Sequence, residues 1–399
     1  VFIIKFISFV EKFYNFKQST RRNNMTELNK NKMVYRKLGK SGINISALSF
    51  GTMRWTSEES CYDAVRMGLD AGMNYFDTST GYVRGMSEKW TGNAVKNRRS
   101  EVYFSSKTNF ASAPSESVVR KSIEDSLKKT GLDYFDLYQV WGLGTIEVLR
   151  DSLKKGGTID GIHKAMVEGL VKYGPGFTFH GPPEVFKAAI DSDVFISATV
   201  SYNLMNRKDE TLLEYAAGKG VGTFIMNPLA GGVLAMAGDE RFEFLNRNGC
   251  GSWYGSLRFL LANNNITSCL LGVTSPEEVE ENLRVLENSD ELNEEYRQDL
   301  IGRMDAVKLS ETGNCTGCKY CEVCPNDFSP SKLMQTLRDY KIYGVKKENL
   351  KNWICSRYVH DLPPDILLGR CVECGLCQQN CPQKLEIVEN ILKVKETFR

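Results

Sequence analysis

The sequence predicts an α/β chain: a closed (β/α)8 barrel followed by a small cysteine-rich domain. Between about residue 45 and residue 287, short β-branched or aromatic runs alternate eight times with longer amphipathic stretches. Eight consecutive βα units in about 250 residues is what a closed barrel requires. After them, eight of the chain's 12 cysteines crowd into two short runs. A doubly wound open sheet uses the same alternation, but it needs a glycine-rich first turn, and "SFGTMRW" after the first strand lacks one.

The strands read, in order, "ISALSFG" from Ile45, "MNYFDTS" from Met73, "EVYFSSK" from Glu101, "DYFDLYQVW" from Asp133, "LVKYGPGFT" from Leu170, "VFISATVSYN" from Val194, "VGTFIMN" from Val221 and "ITSCLLG" from Ile266. Between them lie helical stretches such as "SEESCYDAVRMGLDAG", "SESVVRKSIEDSLKKTG" and "SPEEVEENLRVLE". Each opens on Ser with Glu close behind, as an N-cap with favourable first-turn charge does. The barrel is placed at residues 34–288. Residues 1–33 read as a disordered N-terminal extension: Lys5, Glu11 and Lys12 interrupt its apolar start, and no small-residue cleavage site follows. Residues 289–309 read as a charged helical connector with a solvated acidic face, and residues 310–399 as the cysteine-rich domain.

Composition narrows the function. The 399 residues are 42% hydrophobic and 25% charged, with 51 basic and 49 acidic residues and a net charge of +2. These are ordinary globular values. No apolar run reaches the ~18 residues of a spanning helix, so no membrane partner is expected. Nor is nucleic acid: "KIYGVKKENLKNW" is one short basic stretch in a nearly neutral chain. Clustered cysteines in a large chain without an export signal point to metal and a reducing, cytoplasmic setting. Cys61, Cys250, Cys269 and Cys355 stand apart and read as small buried apolar residues.

The first cysteine run is C-x2-C-x2-C-x2-C-P (Cys315, Cys318, Cys321, Cys324) and the second C-x2-C-x2-C-x3-C-P (Cys371, Cys374, Cys377, Cys381). Three thiolates at this spacing wrap three irons of one cubane, while the fourth, followed by proline, leaves toward the other cluster. A ferredoxin-like iron–sulfur domain with two 4Fe-4S clusters is therefore expected. Cys315, Cys318 and Cys321 would pair with Cys381, and Cys371, Cys374 and Cys377 with Cys324. The first run's last gap is one residue shorter than the bacterial spacing. Structural zinc, which pairs thiolates across a longer loop, fits poorly.

The C-terminal ends of the strands, where a barrel places its active site, offer Asp77 and Tyr82 after the second strand and Lys107 after the third. A lysine beside a phenol favours phenolate and lowers its pKa. Tyr82 could then donate a proton to a carbonyl being reduced, with Asp77 orienting Lys107.

With these residues, the segments "YRKLGKSGINISALSFGTMRW", "GMNYFDTSTGY", "VYFSSK", "DYFDLYQVWGLG", "GFTFH", "SYNLMNR", "NPLAGGVLA" and "GVTSPEEVEENL" and the cysteine runs follow one another as in the aldo/keto reductase family. The chain resembles most closely its branch with a C-terminal ferredoxin-like domain carrying two 4Fe-4S clusters. The resemblance implies an oxidoreductase that reduces a carbonyl or oxidises an alcohol with NAD(P), bound without a Rossmann fold. It also implies a catalytic tetrad of Asp, Tyr, Lys and His. Asp77, Tyr82 and Lys107 match; Trp141 stands where the family has histidine. An indole N–H can donate a hydrogen bond but cannot relay a proton. His180, after the fifth strand, is the one histidine on the correct rim.

For the cofactor, the resemblance points to Thr178, which with Phe179 replaces a Ser-Asn pair that holds the nicotinamide carboxamide. It points also to Asn227, Pro228, Leu229, Gly231 and Gly232 in "NPLAGG", and to Gly272, Thr274, Ser275, Glu278 and Asn282 in "LGVTSPEEVEEN". Backbone N–H groups there suit phosphate. Glu278 stands where other members present a cation to the 2′-phosphate, so NAD is favoured over NADP. The expected partners are a small carbonyl or alcohol and a redox partner protein, because hydride carries two electrons and a cluster usually one. The alternative is a non-catalytic iron–sulfur electron carrier or sensor on a degenerate barrel.

Overall fold

An antiparallel hairpin, β1 (Tyr35–Lys37) against β2 (Asn44–Ser46), opens the fold of the computed structural model. The structure describes residues 33–109, 113–235, 240–247, 249–287, 292–307, 315, 318–342, 354 and 368–397. The expected extension at residues 1–33, save Met33, lies outside them, as do Cys355 and most of the basic stretch between the cysteine runs.

Eight parallel strands follow: β3 (Leu48–Gly51), β4 (Tyr75–Asp77), β5 (Tyr103–Asn109), β6 (Phe135–Leu143), β7 (Val171–Phe179), β8 (Ser197–Ser201), β9 (Gly222–Met226) and β10 (Ser268–Leu271). Each pairs with the next, and β10 returns to β3, closing the barrel. Every expected strand is present. The first differs in extent: Ile45 and Ser46 belong to the hairpin, and the barrel strand begins at Leu48. The chain turns there because the Ser46 hydroxyl donates to Leu48 O (2.7 Å) while Ser46 O accepts from Ser268 Oγ (2.7 Å).

The hairpin plugs the N-terminal mouth of the barrel. Leu38, Ile43 and Ile45 share a buried cluster with Tyr75, Leu137, Phe224 and Leu270 from four barrel strands. The Tyr75 and Phe224 rings stack at 4.2 Å across the interior, worth about 0.5–1.5 kcal/mol beyond their burial. Close approach is made possible by Gly39 (φ +50°): a Cβ there would lie 2.1 Å from Gly220 O, which accepts from Lys40 N at 2.9 Å.

Alternation then sorts the strands' side chains. On β4, Tyr75 and Asp77 point inward while Phe76 points outward to stack on Phe50 (4.9 Å) and Phe104 (6.3 Å). The outer shell is α1 (Glu58–Asp70), α2 (Ser87–Val95), α3 (Glu116–Thr130), α4 (Ile146–Leu153), α5 (Thr158–Val167), α6 (Pro183–Asp191), α7 (Glu210–Gly218), α8 (Trp253–Leu261) and α9 (Pro276–Leu283). Ser57 caps α1 by accepting from Ser60 N (3.1 Å), and Ser275 caps α9 by accepting from Glu278 N (3.4 Å). Ser115 takes the same place before α3 without a side-chain cap bond.

The connector forms α10 (Glu294–Asp305), and α11 (Pro330–Ile342), α12 (Leu376–Gln379) and α13 (Ile387–Glu396) follow. The connector's acids Glu294, Glu295 and Asp299 are exposed, while Arg297, 7% exposed, is paired with Glu294 (2.7 Å) and with Glu210. The division into compact units also differs from the sequence boundaries. Residues up to Pro228 with Leu257–Arg297 form one unit, and Leu229–Ser256 with Gln298–Arg399 the other. The segment after β9 thus goes with the cysteine-rich part, to which it is hydrogen-bonded. In that second unit, Leu333 and Leu337 of α11 pack with Ile387 and Ile391 of α13 and with four of the clustered cysteines. Cys61, Cys250 and Cys269 are buried, and burial pushes the Cys61 and Cys269 thiols up to about 12. Among the described residues, no helix is long and apolar enough to cross a membrane.

Candidate functional site

Lys107 and Asp77 lie on the inner faces of adjacent strands, β5 and β4, and form a buried ion pair, 1% and 3% exposed. Lys107 Nζ also donates to Thr78 O (2.9 Å). The second Asp77 oxygen accepts from Gln139 Nε2 (2.6 Å), which also donates to Ser105 Oγ (2.9 Å); Gln139 Oε1 accepts from Thr199 Oγ1 (2.8 Å). Every polar end of Gln139 is thereby satisfied. Sequence reading missed this residue. The signal was present: Gln139 stands two residues before Trp141, on the same face of a strand whose side chains alternate. A buried ion pair persists only when its remaining hydrogen-bonding capacity is filled, and Gln139 fills that of Asp77.

Tyr82 sits above this layer, half-buried, at the start of a one-turn 3-10 segment, Tyr82–Gly85. Val83 (φ +51°) and Arg84 (φ +53°) are both left-handed, which costs about 1–3 kcal/mol each and is rarest for a β-branched residue. Strain of this kind concentrates where a fold must present a side chain. Lys107 Nζ lies 4.8 Å from the Tyr82 ring centre, over its face, and directs hydrogen bonds to Asp77 and Thr78. This corrects the expectation of a lowered phenol pKa. Burial first, and the Asp77 charge second, hold Tyr82 well above its ordinary value of 10.0. Trp141, on the inner face of β6, meets Tyr82 edge-on at 5.9 Å. Asp77, Tyr82, Lys107 and Trp141 are therefore brought together.

The rim residues sort differently. Thr178 faces inward, 2% exposed, and its hydroxyl accepts from Gly142 N (2.9 Å), tying β7 to the end of β6. Phe179 points outward onto Phe186 (5.0 Å). His180 follows directly after β7. After β9, Asn227 (φ +62°), Ala230 (φ +50°), Gly231 (φ +70°) and Gly232 (φ +97°) form a run rich in left-handed backbone, with Pro228 and Leu229 between. After β10, Glu278 and Ser275 make a reciprocal capping box: Glu278 Oε2 accepts from Thr274 N (2.7 Å). Gly272 lies beneath Arg54, whose Cγ would be 3.1 Å from a Cβ there. Asn282, 9% exposed, lies on α9.

In the second unit, Cys324, Cys371, Cys374 and Cys377 line one solvent-open pocket, with Phe328 and Ile391 among its walls. Cys315, Cys321 and Cys381 are buried, and Cys318 is half-buried. Burial raises the Cys321 thiol, and so do the neighbouring Cys315, Glu322, Cys318 and Cys381. Cys324 thus lies with Cys371, Cys374 and Cys377, and Cys381 lies near Cys315, Cys318 and Cys321. Among the described residues, no three His, Cys, Asp or Glu side chains converge on a point as a single metal ion requires.

A closed parallel barrel with a buried acid–lysine pair beneath a tyrosine, and two groups of four thiols in a smaller unit, define an oxidoreductase with a cysteine-rich appendage. Residues 47–300 match the aldo/keto reductase family and residues 314–386 the 4Fe-4S dicluster domain. The chain belongs to the aldo/keto reductase family and carries a C-terminal 4Fe-4S dicluster domain. Among curated proteins it is similar to an uncharacterized oxidoreductase of Bacillus subtilis (26% identical over 296 residues, 66% of this chain and 94% of that one). It is also similar to the L-galactose dehydrogenase of Arabidopsis thaliana (27% over 310 residues, 69% and 94%). Among solved structures, the holo form of an aldo-keto reductase from Bacillus halodurans superposes with a TM-score of 0.60 at 25% identity, covering 70% of this chain and 98% of that one.

Proposed function

We propose that the chain reduces a small carbonyl, or oxidises the corresponding alcohol, with a nicotinamide nucleotide and with Tyr82 as the acid or base. The observation that carries this reading is the buried Asp77–Lys107 pair directly beneath Tyr82, completed by Gln139. A scaffold has no use for a costly buried charge pair under a phenol at a strained turn. The nicotinamide, when bound, supplies or accepts the hydride. Tyr82 Oη supplies the proton to the carbonyl oxygen, and its raised pKa keeps that proton in place through the ordinary pH range. Lys107 holds positive charge against the ring face, and Asp77 with Gln139 fixes Lys107. Trp141 braces Tyr82 from the side where the family has histidine, and its indole N–H replaces an imidazole only as a donor.

The loop after β9 and the turn after β10 are the elements proposed to hold the nucleotide. Left-handed backbone runs of the first kind line anion-binding concavities with N–H groups. At the second, Glu278 is committed to its capping box and puts a carboxylate where a 2′-phosphate would have to come, which favours NAD over NADP. The thiol groupings suit two 4Fe-4S clusters, Cys315, Cys318, Cys321 and Cys381 holding one and Cys371, Cys374, Cys377 and Cys324 the other. Four thiols at each grouping are the donor set that a cubane takes. A one-electron partner protein is their proposed correspondent.

The test is an anaerobic titration of iron-loaded protein with NADH and, separately, NADPH, following nicotinamide absorbance and the cluster signal together. NADH oxidation with bleaching of the clusters supports one electron path. Binding of neither nucleotide overturns the reading and leaves the barrel as scaffold, as Trp141 in the histidine position would then suit.

A further inference from the structure

The glycine loop and the first cysteine run belong to the same compact unit, and one side chain joins them. Arg338, on α11, donates from Nη1 to Cys315 O (3.0 Å) and to Gly231 O (3.4 Å). The peptide between Gly231 and Gly232 is thereby held at both polar ends, because Gly232 N donates to Leu229 O at 2.9 Å. Both flanking residues are left-handed glycines, φ +70° and +97°, so the backbone has little intrinsic preference to keep this peptide plane as it is. Without the guanidinium, only the Gly232 N–H bond to Leu229 O holds the plane, and a Gly231 carbonyl oxygen that turns toward a bound phosphate repels it. Arg338 lies one residue beyond Leu337, which packs in the core shared with Cys315, Cys321 and Cys381, so its backbone is anchored where the thiols are.

From this geometry we infer that Arg338 is a positioning residue: it locks the Gly231–Gly232 peptide for phosphate and makes nucleotide affinity depend on iron–sulfur loading at the Cys315 run. The inference rests on the reading that the loop after β9 holds the nucleotide's phosphates. When the run is loaded, Cys315 and its carbonyl are fixed, Arg338 is held, and the loop is pre-formed. When the run is empty, the ordering cost falls on nucleotide binding and weakens it. The coupling is reciprocal, so bound nucleotide protects the cluster against loss of iron.

The experiment measures NADH affinity of the full chain by fluorescence, together with iron content and the cluster's electron paramagnetic resonance signal. The variants are Arg338→Met, Arg338→Lys and Gly232→Val. Arg338→Met is expected to weaken NADH about tenfold, the loss of one charge-assisted hydrogen bond, with iron content unchanged. Arg338→Lys is expected to recover part of that loss, and NADH is expected to slow iron release to a chelator in the wild type but not in Arg338→Met. Unchanged affinity in Arg338→Met, alongside weakened binding in Gly232→Val, overturns the coupling and leaves the loop's role standing. Wild-type affinity in Gly232→Val, or no NADH binding by any form, overturns the inference together with the reading beneath it.

Discussion

Gln139 shows how much of the site hangs on one uncharged side chain. Its amide joins Asp77 and Ser105 to Thr199, and all four residues are buried. Gln139→Leu leaves an Asp77 oxygen and two hydroxyls without partners. Stability is expected to fall by about 2–3 kcal/mol in denaturant unfolding, more than loss of a surface amide produces. Tyr82 gives a pH prediction of definite sign. Its folded pKa is raised, so the protonated form is favoured by folding; that contribution is complete below the ordinary value of 10.0 and is lost as pH rises through the folded value. Reduction, which needs the protonated phenol, is therefore expected to hold level up to about pH 10. Alcohol oxidation, which needs the phenolate, is expected to climb with pH throughout. A lowered pKa would reverse the first result, and pH–rate profiles in both directions decide it. Tyr82→Phe is expected to abolish both. Trp141→His is expected to raise carbonyl reduction, and a fall in rate would show that the indole bracing Tyr82 has a role of its own.

At the scale of elements, the turn from β10 into α9 carries a structural task and, in the proposed reading, a selective one. Ser275 and Glu278 cap each other's backbone neighbourhood, the usual way a helix start satisfies its orphan N–H groups. Glu278→Arg removes the acceptor for Thr274 N and is expected to cost about 0.5–2 kcal/mol of stability. The same change replaces a repulsive charge by an attractive one at the proposed 2′-phosphate position. The NADPH-to-NADH preference is expected to rise roughly tenfold or more, read from the two dissociation constants. Loss of stability without a shift in preference would assign Glu278 to capping alone. The hairpin of β1 and β2 is the complementary element: it closes the N-terminal mouth with apolar side chains and leaves the opposite rim for polar ones.

For the whole molecule the question is electron traffic. Hydride moves two electrons and a cubane usually one, so hydride exchange between nicotinamide and carbonyl closes without the clusters, and their proposed correspondent is a separate one-electron partner protein. In the proposed pairing each run contributes to both sites, so a single substitution should empty one site without dismantling the other. Cys318→Ala is expected to leave about four irons per chain where about eight are expected of the parent, with the remaining cluster's resonance unchanged. Loss of all iron would mean that the two sites assemble cooperatively.

The sequence by itself determined the strand order, the closure into a barrel and the identity of the thiols, because these are written in local patterns. Alternation of apolar residues fixes which strand faces lie inward, and cysteine spacing along a short loop fixes which donors can share a cubane. Asp77, Tyr82 and Lys107 were legible for the same reason, each within or shortly after a recognisable strand. Tertiary structure alone decided what those residues do to one another. The direction of the Tyr82 pKa depends on whether the lysine meets the ring's face or its hydroxyl, and on how deeply the ring is buried. Gln139 matters only because β6 sets it against Asp77 from another strand. Arg338 joins Cys315 to Gly231, residues 84 apart in the chain, and no local pattern encodes a contact of that range.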